Sequence, residues 1–507
     1  MATDNQKKMF IIRSFSRRFE NFEKIKKIKL IIVPATAIIK RSIIEPARPV
    51  KGTHDRFDND LVKLDYIRKI GSSIAELHCF EQISTPILEF SQVFERTLGS
   101  DSDIVGKELY RFKDKEDDLT LRPEGTAGIV RSLISNSLDQ ELPRKYYYHG
   151  SMFRHEKPQR GRLRQFEQFG VEMFGHDNPT SDIELIDMAM TFLNKIGLND
   201  KVVLEINSLA DMESRTRYKE VVRDYLRLHE TQLSEDSLNR ISTNPLRVLD
   251  SKHHQDQLII KNCPPISEYY NSASTKRFET VCQGLDKLDI PHKINPRLVR
   301  GLDYYENTIF EFKYLNLDSK LGHSQGTILA GGRYDGLVQL MGGKYRVPGI
   351  GWAAGIDRLA LILDESCIQP KTRPVAIIVI HDREEQQLHQ QQQLEFYALK
   401  ISKSLLSHNI KTLFYHLPSS FSTTSSLSTI NNNNNTTTTT ITSNTNKKKS
   451  SLKYILGNIL KSNASHAILI GEEEFKQSQV TIKFLDLKIQ RGINVEDIID
   501  TIEKNQN

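Results

Sequence analysis

The sequence predicts an α+β protein, in which an antiparallel strand pair belongs to a larger first part and a small α/β module closes the chain. Residues 145–175 contain two aromatic-rich segments joined by the basic loop KPQRGRL, which indicates an antiparallel hairpin. From residue 374 onward strands and helices alternate, which is typical of a mostly parallel sheet. The module comprises strands PVAIIVI, KTLFYH, HAILIG and QVTIKFLD and helices at 395–408, near 451–463 and at the chain end.

The elements of the first part follow from local patterns. Apolar residues at helical spacing predict a helix over residues 60–83. The apolar segment TPILEF, with Pro86 at its edge, predicts a strand. The remaining segments are a strand-to-helix passage at 119–132, a helix at 180–198, strands at 303–313 and 326–330, and a glycine-rich strand turning into a helix at 349–364.

Two segments depart from these regular patterns. Residues 210–290 are more charged and irregular, which indicates an insertion within the first part. Residues 418–450 contain runs of Asn and Thr and end in three lysines, a composition that does not bury a core. We expect a disordered and functionally inert surface loop there, and a functional lysine-rich tail is the less favoured alternative.

Composition and charge exclude several classes of protein. The chain has 507 residues and a net charge of +6. Residues 1–50 carry twelve Lys or Arg and four Asp or Glu, so the excess of positive charge lies at the start of the chain. The four scattered cysteines argue against a disulfide scaffold or a cysteine-rich zinc site. No apolar run is long enough for a transmembrane helix, and we expect no membrane partner.

The first 46 residues are predicted to be a basic leader. Arg13, Arg17 and Arg18 alternate with apolar side chains, a pattern that suits an amphipathic helix used for mitochondrial import. We therefore expect the protein in the mitochondrial matrix, and a start at Met9 or later would add the cytoplasm. The alternative is a disordered basic arm that binds tRNA or a membrane surface.

The hairpin carries a row of polar side chains that calls for a ligand. Arg164, Gln168 and Glu172 are four positions apart, so they are predicted to share one face of the second strand. Burying such a row without partners costs several kcal/mol, on the order of 2–7 kcal/mol for each group. The loop arginines suit phosphate oxygens. The alternative is a solvent-facing hairpin held by salt bridges.

Three further motifs are weaker when each is taken alone. The segment RGLDYY (300–305) combines a cation with tyrosines, although paired tyrosines on a strand usually serve packing. The segment AGGRYDG (330–336) allows close backbone approach, and a plain hairpin turn is the alternative. The segment GIGWAAGIDR (349–358) places Arg358 near a helix start, where it faces a nucleotide or pairs within the core. The chain lacks a phosphate-binding G-x-x-x-x-G-K-[ST] loop.

Taken together and in this order, these segments resemble the class II aminoacyl-tRNA synthetases, and specifically the histidyl-tRNA synthetase family. The pair of RGLDYY and AGGRYDGL motifs is the most specific part of the likeness, which extends from about residue 48 to residue 503. The loop RHEKPQRGRLRQF resembles the bacterial and organellar branch. The matching segments are KGT (51–53), LRPEGTA (121–127), motif 2 (153–172), the two histidine motifs, motif 3 (GIGWAAGIDRL) and NPLRVLDSK (244–252).

The resemblance implies an architecture and a reaction. It implies a catalytic domain over 47–370, with an insertion at about 210–290 and a six- to seven-stranded antiparallel sheet flanked by helices. It implies an α/β anticodon-binding domain over 371–507 and a homodimer. The reaction joins L-histidine and ATP into histidyl-adenylate and then transfers histidine to tRNA-His. Mg²⁺ is expected with the ATP phosphates, and no protein-held metal is expected.

The resemblance also implies roles for individual residues. Arg154 and Arg300 are the expected catalytic residues at the α-phosphate, and Arg154 also meets the histidine carboxylate. The histidine site is expected to comprise Glu124, Thr126 and Gln168 around the α-ammonium, Glu172 and Tyr305 around the imidazole, and Tyr304, Tyr334, Arg154 and Arg300 nearby. The ATP site is expected to comprise Arg154, Glu156, Arg162 and Arg358, with Phe166 stacked on adenine.

The chain departs from the usual family pattern at a few positions. They are His54, Ser151, Lys157, Glu167 and the pair Glu306-Asn307. None of these is a residue with an expected chemical role. Two alternatives remain: a catalytically silent paralogue that binds histidine as a regulatory subunit, and a class II ligase for another amino acid.

Overall fold

The computed structural model describes residues 47–98, 104–316, 326–368, 372–380, 388–416 and 452–505. The chain divides into two compact units, Met1–Cys367 and Ile368–Asn507. The division lies three residues from the predicted boundary after residue 370. The predicted leader and the predicted loop at 418–450 lie outside the described residues. None of the helices in the described part of the chain has the length and apolarity to cross a membrane.

A large, mainly antiparallel sheet forms the centre of the first unit. Its order is β1-β5-β6-β11-β10-β9-β7-β8, and β2-β4-β3 form a separate small sheet. The strands are β1 (Glu81–Gln82), β2 (Leu88–Phe90), β3 (Tyr110–Asp114), β4 (Asp117–Leu121), β5 (Arg144–Phe153), β6 (Gln165–Phe174), β7 (Val202–Ser208), β8 (His292–Ile294), β9 (Glu306–Tyr314), β10 (Thr327–Arg333) and β11 (Gly349–Gly355). The six strands in the middle of this order, β5-β6-β11-β10-β9-β7, pair antiparallel with their neighbours. The edge strands β1 and β8 pair parallel with β5 and β7. The predicted antiparallel sheet is confirmed, but it has eight strands instead of the expected six to seven, because the parallel edge strands β1 and β8 extend it.

Helices flank this sheet, as expected. Among the described residues they are α1 (Asn59–Leu77), α2 (Ser91–Leu98), α3 (Thr126–Ser135), α4 (Pro179–Lys195), α5 (Met212–Arg227), α6 (Glu235–Thr243), α7 (His254–Ile260), α8 (Ser272–Lys287), α9 (Leu337–Leu340) and α10 (Ile356–Ile362). Helices α1, α4, α8 and α10 pack against one another and against the sheet.

Alternation along β6 separates the core from the opposite face of the sheet. Phe169 stacks against Phe192 of α4 and lies 5.9 Å from the Trp352 ring centroid, so odd-numbered positions of β6 face the helices. Because successive strand residues point to opposite faces, Phe166, Gln168 and Glu172 project to the other side. That side carries most of the residues predicted to be functional.

The predicted insertion is helical, so the expectation that residues 210–290 are irregular was wrong. Helices α5 to α8 occupy most of it. Tyr218, Val222 and Leu226 are buried at successive four-residue steps of α5. The helical period was hidden because mean hydropathy is low where a narrow apolar stripe lies among many charged residues.

The second unit is a smaller α/β domain around a five-stranded sheet. Its strands are β12 (Val375–Val379), β13 (Thr412–His416), β14 (His466–Ile470), β15 (Gln479–Phe484) and β16 (Ile489–Asn494). Its described helices are α11 (Leu388–Ser407), α12 (Leu452–Lys461), α13 (Glu472–Lys476) and α14 (Ile498–Glu503). The order is β13-β12-β14-β15-β16.

The sheet of the second unit is mixed, so the prediction of a mostly parallel sheet was wrong for half of it. Strand β12 pairs parallel with both β13 and β14, but β15 pairs antiparallel with β14 and with β16. Strand β16 was not predicted, because most of its side chains are exposed and it lacks an alternating apolar face.

Candidate active site

Glu172 lies at the buried centre of the candidate site. Thr126 Oγ1 donates a hydrogen bond to Glu172 Oε1 at 2.6 Å, and the Tyr334 hydroxyl donates to Oε2. The residue is only 1% exposed. Burial raises the pKa of Glu172 to about 8, with the nearby Glu124 carboxyl adding to the shift against the two hydroxyl hydrogen bonds.

Three tyrosines surround this carboxyl. The ring centroids of Tyr304 and Tyr305 lie 4.7 Å apart, and that of Tyr334 lies 5.7 Å from Tyr304 and 6.3 Å from Tyr305. Burial raises the pKa of all three hydroxyls, so they remain neutral hydrogen-bonding groups. Tyr148 is a fourth member of this cluster, and sequence reasoning missed it. Its buried hydroxyl makes no hydrogen bond within the protein.

The Glu124 carboxylate accepts hydrogen bonds from the start of a helix. Its two carboxylate oxygens accept the backbone N–H groups of Thr126 and Ala127, at 2.7 and 2.8 Å. Helix α3 begins there, and its first N–H groups have no partner within the helix. Each carboxylate oxygen retains a second acceptor position. The expected contact of Glu124 with an ammonium group therefore stays a prediction compatible with this geometry.

Gln168 connects the buried cluster to an open recess. Its Oε1 atom is buried and makes no hydrogen bond. The side chain lines a recess of about 200 Å³, together with Phe166, Ala330 and Arg358. An unpaired carbonyl oxygen at this position suits a cationic donor such as an α-ammonium group.

Four predicted arginines converge on a single cavity. The cavity has a volume of about 660 Å³, and Glu156 also lines it. Such a concentration of guanidinium groups favours a polyanion such as a triphosphate. The four arginines are Arg154, Arg162, Arg300 and Arg358.

The protein fixes two of these guanidinium groups through their own backbone contacts. Arg154 Nε donates to the Pro123 carbonyl at 2.9 Å, and the guanidinium lies 5.3 Å from the Phe166 ring centroid. Arg358 donates to the carbonyls of Gly161 and Thr327. Burial, reinforced by Arg162, lowers the pKa of Arg358 to about 10, so it stays charged at neutral pH.

The remaining two arginines are held by carboxylates. Arg300 Nη1 donates to Glu311 Oε1 at 2.5 Å, and the guanidinium lies 5.3 Å from the Tyr305 ring centroid. Arg300 Nε makes no hydrogen bond within the protein and is buried. Arg162 lies 3.3 Å from Glu156 and is partly exposed. Arg300 thus joins the tyrosine cluster to the arginine-lined cavity.

One predicted member of the polar row lies elsewhere. Strand β6 begins at Gln165, so Arg164 is outside the strand and does not share its face with Gln168 and Glu172. Arg164 Nε donates to the Glu156 carbonyl instead, and its side chain packs beside Gly52. The prediction for Arg164 was wrong because the four-residue rule holds only within a strand.

The strand predicted at 303–313 also begins later. Strand β9 starts at Glu306, and residues 300–305 form an irregular segment before it. Glu306 turns away toward Gly336 and Arg346, accepting a hydrogen bond from each. Asn307 has φ +52°, a left-handed conformation that Asn tolerates better than most residues.

Asp357 supports the site from behind, and sequence reasoning missed it. Its Oδ2 accepts the backbone N–H of Glu167 on β6 at 2.6 Å, and its Oδ1 accepts Arg56 at 2.7 Å. Asp357 precedes Arg358 at the start of α10, and its hydrogen bond with Glu167 joins that helix to β6. Only its place within motif 3 offered a signal.

The described residues contain no group of three or more His, Cys, Asp or Glu side chains that could hold a metal ion. The acidic residues that line the arginine-rich cavity are Glu108, Glu156, Asp250 and Glu311. Arg162 and Arg300 pair with Glu156 and Glu311. The donor set of the cavity therefore suits anionic phosphate oxygens better than a cation held by protein ligands.

Comparison with known proteins identifies the family. A family profile described as Histidyl-tRNA synthetase matches residues 52–359. Histidine–tRNA ligase of Gluconobacter oxydans is 39% identical over 452 residues, 89% of this chain and 97% of the relative. Histidine–tRNA ligase of Rickettsia bellii is 37% identical over 458 residues, 90% of this chain and 99% of the relative. The solved apo histidyl-tRNA synthetase of S. aureus is 29% identical, with a TM-score of 0.66 over 90% of this chain and 99% of that one. With the buried glutamate, the tyrosine cluster and the four arginines in place, the chain belongs to the histidyl-tRNA synthetase family.

Proposed function

We propose that this protein activates L-histidine with ATP and attaches it to tRNA-His. The observation that carries the proposal is the direct connection, through Arg300 and Gln168, of two chemically different sites. One is a buried carboxyl with tyrosine hydroxyls, which suits an imidazole. The other is an arginine-lined cavity, which suits a triphosphate. Membership of the histidyl-tRNA synthetase family supports the same function.

In the first step a carboxylate oxygen of histidine attacks the α-phosphorus of ATP. A new P–O bond forms histidyl-adenylate, and the bond to the departing pyrophosphate breaks. Arg154 and Arg300 hold the carboxylate and the α-phosphate and stabilise the negative charge that develops. Fixed cations that line one cavity are effective because they need little reorganisation during the reaction.

Selection of histidine would depend on pairing both ring nitrogens. In this proposal Glu172 pairs with one nitrogen of the imidazole and the Tyr305 hydroxyl with the other, and Tyr304 and Tyr334 lie beside Tyr305 in the cluster. An amino acid that lacks these nitrogens would leave buried polar groups unpaired. Such a mismatch excludes analogues by on the order of 10⁴–10⁵-fold in sites built to bond a substrate polar group.

In the second step a ribose hydroxyl of the terminal adenosine of tRNA-His attacks the activated carbonyl carbon, and AMP leaves. Mg²⁺ is expected to accompany ATP, where it would offset part of the negative charge of the phosphates. The second unit is the proposed anticodon-binding domain. The support for this assignment is its α/β fold and its place after the catalytic unit.

A homodimer and a mitochondrial location complete the proposal. The small β2-β4-β3 sheet exposes Leu88, Phe90 and Phe112 by 45%, 47% and 43%, an apolar surface that suits a second copy of the chain. The basic, acid-poor leader supports import into the matrix. Sedimentation of the purified chain tests the first point, and imaging of the full-length chain with and without residues 1–46 tests the second.

Amino-acid-dependent ATP–pyrophosphate exchange tests the activation step. We expect exchange with histidine alone among the twenty amino acids, and we expect Arg300→Ala to abolish it. Arg240→Ala is the matched control, because Arg240 pairs with Asp236 on α6, outside the predicted site. Exchange with a different amino acid would assign the chain to a sister ligase. Histidine binding without any exchange would assign it to the regulatory paralogues.

A further inference from the structure

The irregular segment 300–305 depends on contacts from the helical insertion. It bears Arg300, Tyr304 and Tyr305, yet it precedes β9 and has no strand pairing of its own. Its position must therefore come from side chains that bind its backbone. The first of these is Arg215 on α5.

Arg215 holds two carbonyl groups of this segment. Its Nη1 atom donates to the Asp303 carbonyl at 2.7 Å and to the Tyr305 carbonyl at 2.9 Å. Nη2 lies 3.8 Å from the Asp303 carboxylate, and the side chain is only 13% exposed. Burial lowers the pKa of Arg215, partly offset by Asp303 and Glu306, yet a guanidinium remains charged.

Arg215 is itself held on a firmly anchored helix end. Asp211 caps α5 by accepting the N–H groups of Glu213 and Ser214, both at 3.0 Å. Its other oxygen accepts Ser274 Oγ at 2.7 Å and Asn271 Nδ2 at 2.8 Å. Burial acts to raise the pKa of Asp211, but these hydrogen bonds outweigh it and lower the pKa to about 2.

A second part of the insertion contacts the same segment. Asn244 Nδ2 donates to Asp303 Oδ1 at 2.7 Å. Arg247 lies over Gly301, where an added Cβ would come within 2.3 Å of Arg247 Nη1. The missing side chain at Gly301 leaves room for the Arg247 guanidinium in this arrangement. The insertion contacts the segment on both sides of Leu302.

We propose that Arg215 is a positioning residue for the histidine and α-phosphate contacts, and that the helical insertion sets the geometry of Arg300 and Tyr305. The inference rests on the proposed function. Loss of the guanidinium would leave two backbone carbonyls without their donor and would let the segment shift. A displacement of about 1 Å can cost on the order of 10²-fold in rate.

The proposal makes a selective kinetic prediction. The other predicted ATP contacts are Arg154, Glu156, Arg162, Phe166 and Arg358. All of them except Phe166 share a cavity with Arg300, but they lie on the β5-β6 hairpin and α10, which Arg215 does not hold. Arg215→Met should therefore raise KM for histidine and lower kcat of pyrophosphate exchange, each by about tenfold or more. KM for ATP should stay within about twofold. Arg215→Lys should recover part of the loss, because one ammonium group can still donate to a carbonyl.

Two further variants make the test decisive. Arg217→Met on the same helix is the matched control, because Arg217 is exposed and donates a hydrogen bond to Ser214 of its own helix. Asn244→Ala removes the Asp303 contact without the large change in volume, and it should shift the same two parameters in the same direction. If Arg215→Met does not fold, the result for Asn244→Ala decides.

The outcomes are distinct. Unchanged kinetics in the Arg215 and Asn244 variants would overturn the inference. A fall in active protein with normal KM values and a lowered Tm would also overturn it, by showing a merely structural role. Wild-type exchange with histidine tests the proposed function separately. A wild-type chain without that exchange would overturn the proposed function and this role of Arg215 together.

Discussion

Glu172 illustrates how single residues set the chemistry of the site. Its hydrogen-bond partners within the protein are the hydroxyls of Thr126 and Tyr334. A hydroxyl both donates and accepts, so these partners suit a neutral as well as an ionised carboxyl. With a pKa of about 8, Glu172 is mostly protonated at pH 7 in the free protein. An arginine partner would instead have fixed the carboxyl in its ionised form.

Gly351 makes room for that carboxyl. An added Cβ would lie 1.8 Å from Glu172 Oε2 and 2.4 Å from the Val171 carbonyl, so Gly351→Ala must displace the Glu172 carboxyl and move the two strands relative to each other. We expect KM for histidine to rise by about tenfold or more, which corresponds to about 1.4 kcal/mol, with a lowered Tm. Gly106→Ala is the control, because a Cβ there meets nothing within 4 Å. An unchanged KM for histidine in Gly351→Ala would contradict this account.

At the scale of elements, the site depends on where one element begins beside another. Helix α10 starts beside the middle of β6, and Asp357 joins them by accepting the Glu167 N–H. Phe166 and Gln168 are the neighbours of Glu167 on β6, and their side chains project to the face of the strand opposite the Glu167 side chain. A single carboxylate therefore fixes the position of α10, and with it Arg358, relative to the recess lined by Phe166 and Gln168.

Asp357→Ala tests this junction. The variant leaves a buried N–H without an acceptor, which costs about 1–3 kcal/mol. We expect KM for ATP to rise several-fold, while KM for histidine stays close to that of the wild type. Asp364→Ala, beyond the other end of α10, should change neither parameter, because its partners Lys201 and Ser366 lie at the surface. Equal effects on both substrates would contradict a specific role for Asp357 at the ATP side.

The elements that could be predicted are those with a strong local period. The β5-β6 hairpin, helix α1 and the strand-to-helix turn at β11-α10 follow from alternation, helical spacing and glycine placement. The helices of the insertion could not be predicted in this way, because charged residues outnumber the few apolar residues that form the buried stripe. Strand β16 could not be read because its side chains are mostly exposed. Tertiary contacts such as that of Arg215 with the Asp303 carbonyl carry no local signal at all.

At the scale of the whole molecule, all the predicted histidine and ATP residues belong to the first unit, although they are spread from Glu124 to Arg358. These residues could be predicted from the sequence because the resemblance to the family assigns them to one site. The spacing of residues within each motif left a structural role as an alternative. The second unit has its own apolar core, built around β12, β14 and α11. Its described residues contribute none of the predicted catalytic groups.

The segment between β13 and α12 gives a test at this scale. Replacing residues 418–450 with a flexible linker of about ten residues should leave exchange and tRNA charging intact. The shorter connection should stabilise the second unit by about 1 kcal/mol at most, from the lower entropy cost of loop closure. Urea unfolding and aminoacylation assays check both points. Lost charging with normal exchange would instead assign this segment a role with tRNA.

Ser151 and Glu167 lie directly opposite each other on β5 and β6, and the serine hydroxyl donates to the glutamate. Both positions are among those that depart from the usual family pattern. Glu167 also pairs with Arg56 at 3.5 Å and with Arg68 at 3.0 Å. Replacing Ser151 alone would deprive Glu167 of a hydrogen-bond donor. Replacing Glu167 alone would leave the Ser151 hydroxyl and the guanidinium groups of Arg56 and Arg68 without the carboxylate that they share. The two side chains belong to one network of hydrogen bonds and ion pairs, so the effects of replacing them are not additive, and a double replacement cannot be predicted from the two single ones.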